Sequence, residues 1–143
     1  MKTAAAVAAL AIALVVSPSH AKDKHVPLPA SVIAAKTVYI DNETGHAEIT
    51  DRAVDALTKW GRFKILKDAK DADLVLRFTA NTKGRPMPPR NDIDISPTPV
   101  ILSVRDQTDN ELWTVSKDQP LRSQTRLDLD EFKKRIEAQE KGN

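Results

Sequence analysis

Ala72-Asp73-Leu74-Val75-Leu76-Arg77-Phe78-Thr79-Ala80 alternates from end to end. Leu74, Leu76 and Phe78 share one side at period two, and Asp73, Val75, Arg77 and Thr79 share the other. The pattern predicts a strand with one face in a core and one toward a wetter surrounding. Such a strand needs an apolar cover, and the flanking segments have the periodicities to supply it.

Upstream, Lys36-Thr37-Val38-Tyr39-Ile40-Asp41 is rich in β-branched and aromatic residues and predicts a first strand. Asn42-Glu43-Thr44-Gly45 is turn chemistry. From His46 the period changes. Ile49, Ala53, Leu57 and Trp60 recur at three and four residues, with Glu48, Asp51, Arg52, Asp55 and Lys59 on the other faces. This is an amphipathic helix, and Gly61 stands where a left-handed C-cap would end it. Phe63-Lys64-Ile65-Leu66-Lys67 predicts a second strand, so a βαβ unit leads into the alternating run.

Downstream, residues 81–99 carry Pro86, Pro88, Pro89, Pro97 and Pro99 without any period, which predicts a long flexible loop. Val100 to Asp106 and Glu111 to Ser116 flank the turn Gln107-Thr108-Asp109-Asn110 as an antiparallel hairpin, in which Asn110 is able to take positive φ. After a polar link, a last helix is expected from Asp128, capped by that residue with Glu131 three positions on. Leu129, Phe132 and Ile136 form its apolar stripe. The order β-α-β-β-β-β-α gives an α/β (α+β) two-layer sandwich, a mixed sheet of about five strands with two helices on one face. The open face would carry Tyr39, Val75, Arg77, Ile101, Arg105 and Leu112 among polar neighbours, a patch suited to an interface.

The start of the chain has a different character. Met1-Lys2, the uncharged run Ala4 to Val16, and small residues at Ser19 and Ala21 before Lys22 form the parts of a signal peptide, residues 1–21. The run is short for a membrane span. Residues 22–35, with Pro27 and Pro29, read as a leader, and 36–143 as a single α/β domain. The expected product is exported, periplasmic or secreted, and soluble, with no transmembrane helix after cleavage. No cysteine is present to carry a lipid or a disulfide, so lipidation is not expected and the domain must stand on packing. With 22 basic and 20 acidic residues the net charge is +2, too even a balance to point to nucleic acid.

Three segments together carry a resemblance. Gly61-Arg62-Phe63-Lys64-Ile65-Leu66, Ala72-Asp73-Leu74-Val75-Leu76, and the hairpin from Val104-Arg105-Asp106 to Leu112-Trp113 follow an exported start. From Thr37 to Val115 the chain resembles small bacterial envelope domains related to the amino-terminal domain of TolB and to CsgG-like assembly lipoproteins. The resemblance implies a mixed-sheet domain that serves envelope assembly or protein docking without catalysis. The chain departs from that pattern in lacking a lipidation cysteine and in its proline-rich loop.

Candidates for chemistry are few. After Ala21 the only histidines are His25 and His46, and no serine sits in a strand-to-helix elbow. Asp41, Glu43 and His46 gather oxygen and nitrogen atoms after a strand, which keeps a small hydrolase or metal-dependent enzyme as an alternative. Their spacing fails the calcium-loop pattern, and no cofactor or metal is expected. Lys83, Arg85 and Arg90 surround the prolines of an extended arm that could dock in a groove or touch an anionic surface weakly. The reading is a non-catalytic exported binding or assembly module. Its partner is another envelope protein or a second copy of itself, met through Tyr39, Val75, Arg77, Ile101, Arg105, Lys83, Arg85 and Arg90.

Overall fold

The computed structural model describes residues 26–80, 99–116 and 121–142, so the signal segment and the arm bearing Lys83, Arg85 and Arg90 lie outside the described residues. The elements in order are α1 (Ala30–Ala34), β1 (Thr37–Asn42), α2 (Ala47–Trp60), β2 (Lys64–Leu66), β3 (Leu74–Ala80), β4 (Val100–Arg105), β5 (Glu111–Ser116) and α3 (Leu121–Lys141). A short 3-10 turn, Ala69–Asp71, precedes β3.

The alternating run is the middle strand of one five-stranded sheet, in the order β2-β1-β3-β4-β5. β1 is parallel to both β2 and β3, and the β3–β4 and β4–β5 pairs are antiparallel. The sheet is therefore mixed, the class is α+β, and the layers are two. Leu74, Leu76 and Phe78 are all buried, with Phe78 opposite Asn42 and Leu102. Full burial of each side chain contributes roughly 2 kcal/mol.

The cover comes from α2 and α3. Ile49, Ala53 and Leu57 of α2 are buried at spacings of four. Gly61 ends the helix at φ 70°, and its N–H donates to the Leu57 carbonyl at 3.0 Å. On α3, Leu129, Phe132 and Ile136 are buried. Phe132 stacks on Phe63 and on Trp113, with ring centroids 6.2 and 5.4 Å away, and meets Trp60 edge-on at 6.2 Å.

Three local expectations are corrected. First, α3 begins at Leu121, and Asp128 is fully buried inside it instead of capping it. Pro120 bars a helix from running through it but not from starting just after it. Gln124 and Thr125 then turn inward, so the buried face was polar where an apolar stripe was sought. Second, the left-handed residue of the hairpin is Asp109, at φ 65°, and not Asn110. The Asp106 carboxylate accepts from the Asn110 backbone N–H at 2.9 Å and its side-chain amide at 3.0 Å, which fixes Asn110 and leaves the reversal to Asp109. Third, a bulge between β4 and β5 sets Glu111 opposite Arg105 and Trp113 opposite Val104, so Leu112 is the extra residue and packs against the core.

The stretch read as a leader is built into the domain. Leu28, Val32 and Ala35 are buried in the core, and the Gln139 side chain brackets Leu28, accepting from its N–H at 2.8 Å and donating to its carbonyl at 3.0 Å. Arg62 adds a second tie, to Glu140 at 2.6 Å and to the Ile33 carbonyl at 2.7 Å.

Candidate docking face

The sheet face turned away from the helices is assembled row by row from the strand registers. One row crosses all five strands as Leu66, Tyr39, Val75, Arg105 and Glu111. The next runs Asp41, Arg77, Ser103 and Thr114, and a third runs Thr79, Ile101 and Ser116. Tyr39, Val75, Arg77, Ile101 and Arg105 therefore do share one surface. The first row is apolar over β2, β1 and β3 and charged over β4 and β5.

The charged part is a lattice of two arginines among four carboxylates. Arg77 Nε donates to Asp41 Oδ2 at 2.8 Å and lies 3.3 Å from Glu43, while its Nη1 is 3.1 Å from Asp109. Arg105 Nη1 donates to the Asp109 carbonyl at 2.9 Å and its Nη2 is 3.7 Å from Glu111. The Ser103 hydroxyl donates to Glu111 at 3.0 Å. The hydrogen bond to Asp41, with the carboxylates of Asp109 and Glu43 nearby, raises the Arg77 pKa further above its ordinary value. Asp109 bridges both arginines, and its left-handed backbone, which aspartate tolerates, is what swings its carboxylate over the sheet.

Val75 is only 7% exposed although no described helix lies over this face. Its register neighbours are Tyr39 and Arg105, with Arg77 two residues along, long side chains of the kind whose stems cover apolar surface. Tyr39, Leu66 and Ile101 stay half-buried, so the accessible apolar part is the Leu66–Tyr39 end and Ile101. With Leu112 turned inward, the patch is smaller than the alternation alone suggests.

The loop that could serve hydrolysis is tied up in its own geometry. The Asn42 amide donates to the His46 carbonyl at 2.7 Å and to Thr50 at 3.0 Å, and its oxygen accepts from Thr44 N–H and hydroxyl at 3.1 and 2.6 Å. Asp41 and Glu43 face Arg77, whereas His46 pairs loosely with Glu48 at 3.8 Å. The three are not brought together, and no cluster of three His, Cys, Asp or Glu among the described residues could hold a metal. No described helix is long and apolar enough to cross a membrane. Compared with family models, curated proteins and solved structures, the chain matches none.

On the opposite side, a groove of about 560 Å³ runs between α2 and α3 over Leu57, Trp60 and Leu129. Two of its basic groups are engaged locally, Lys59 with Asp55 at 2.7 Å and Lys133 at 5.9 Å over the Trp60 ring, and Arg52 and Arg126 also line it. The open sheet face is the better candidate. Sequence reasoning placed its arginines but missed Asp109, Glu111 and Leu66. Position parity signals Leu66, which pairs with Tyr39, but the two carboxylates depend on the turn and the bulge.

Proposed function

We propose that the chain is a non-catalytic, exported binding or assembly module that docks another envelope protein on the open sheet face. The observation that carries this reading is the row from Leu66 through Tyr39 and Val75 to Arg105, over which no described element packs, apolar at one end and ionic at the other. A broad face with an apolar end beside fixed charges suits a protein partner, whereas small ligands favour concave sites. The excess of carboxylates over arginines fits a partner that presents basic side chains around an apolar anchor.

The engagement of Asp41 and Glu43 by Arg77 supports a role without catalysis. A general base must reach a substrate proton, and these oxygens already face a guanidinium that never gives up its charge. Export rests on the sequence of residues 1–21. Capture of the tagged chain from its own envelope, wild type beside Tyr39→Ala, tests the reading. A partner recovered by the wild type and reduced about tenfold by the substitution is expected, as for an interfacial aromatic. Equal recovery by both would contradict it.

A further inference from the structure

The two rims of the sheet are built differently. β2 has three residues, with exposed Lys64 inside it and exposed Lys67 just past it. Shortness and lysines are features that keep a strand edge from pairing. β5 is twice as long, six residues from Glu111 to Ser116, with no lysine or proline inside it although Lys117 follows it directly in sequence, and among the described residues no strand pairs with its outer side. The bulge affects only its start, so Trp113 to Ser116 keep regular register with β4. We propose that β5 pairs antiparallel with β5 of a second copy of this chain, joining two sheets into one.

The strand's own pattern selects the register. A two-fold axis perpendicular to the sheet keeps both helix layers on one side, so helix-facing residues must oppose helix-facing residues. Trp113 and Val115 face that side and pack on the core, while Thr114 lies opposite Ser103 on the open face. With Thr114 on the axis, Trp113 of each copy opposes Val115 of the other, and Thr114 opposes its counterpart. Aromatic–β-branched and Thr–Thr pairs are favourable cross-strand pairs, and no like charges meet. A shift of two residues would set Val115, which faces the helices, against Glu111, which the bulge turns to the open face, and so breaks the rule that helix-facing residues oppose one another. Trp113 and Val115 are half-buried and Thr114 is exposed, so a second strand has surface to cover. Helix α3, which packs over β4 and β5, would lie beside its copy at about 10 Å, a normal helix-packing distance.

The pairing uses the outer backbone edge of β5, away from the Leu66–Tyr39 end of the open face although Thr114 lies on that face, so a monomeric wild type would overturn the pairing and leave the docking proposal standing. Sedimentation of the purified chain over a wide concentration range is the test, with circular dichroism to confirm folding. The wild type is expected to dimerise. Thr114→Lys and Thr114→Asp, which each place like charges on the axis, should weaken dimerisation about tenfold or more, and mixing the two should restore a dimer. Position 114 is exposed, so both variants should fold. A monomeric wild type, a variant that dimerises like the wild type, or a mixture that stays monomeric would each overturn the pairing.

Discussion

Arg77 has its side chain 23% exposed, and its Nε donates to Asp41 at 2.8 Å, so this pair has geometry and burial that most surface ion pairs lack. A double-mutant cycle of Arg77→Ala with Asp41→Ala, read by urea unfolding, should give a coupling of about 1 kcal/mol. A coupling near zero would demote the lattice to decoration. Asp106 supplies a second prediction. Hydrogen bonds from Asn110 and Thr108 hold its pKa at about 2, below the ordinary 3.8. A carboxylate depressed on folding stabilises above its unfolded value and loses that contribution as pH falls through its folded value. The stability of the wild type should therefore decline more steeply than that of Asp106→Ala between pH 3.8 and about 2. Asp73 adds to the same trend, its pKa lowered chiefly by the Lys36 backbone N–H at 2.9 Å. At this scale parity in the sequence was enough to place Tyr39, Val75, Arg77, Ile101 and Arg105 on one face. It could not place Asp109 or Leu112, because a single left-handed residue and a single bulge reset the alternation, and neither leaves a periodic trace.

Among the elements, α2 was legible to its last residue because an apolar stripe and a glycine agree on where it stops. Gly61→Ala should cost about 1 kcal/mol through its positive φ alone, since the nearest atom to an added Cβ is the Thr58 carbonyl at 4.0 Å. Gly61→Asn should recover part of that loss in the same thermal unfolding measurement. Helix α3 was legible only in its second half. Gln124, Thr125 and Asp128 are buried polar residues, and a search for apolar spacing passes over them. What anchors α3 is the ring cluster: Phe132 between Phe63, Trp60 and Trp113. Phe132→Ala should destabilise the domain by about 3–5 kcal/mol, whereas Phe132→Leu should cost less by keeping most of the volume. A small effect of Phe132→Ala in denaturant titration would show that α3 is held elsewhere.

For the whole molecule, two layers divide the labour. The helix side closes a core that reaches back to Leu28 and Val32, and the Gln139 and Arg62 contacts lash the start of the described domain to the end of α3. The sheet's other side has none of the described helices over it and carries the ionic lattice beside Leu66 and Tyr39. The two-layer class followed from order and periodicity, because each strand and helix has its own pattern. The partner did not, since the face is defined by where side chains meet and not by a motif. Site-specific photo-crosslinking in the native envelope tests the docking claim most directly. The crosslinker would stand at Ile101 on the open face and at Val54 on the helix layer, which is 38% exposed. A discrete adduct from Ile101 and none from Val54 is the expected result. Adducts from Val54 alone, or the same adduct from both positions, would contradict docking on the open face.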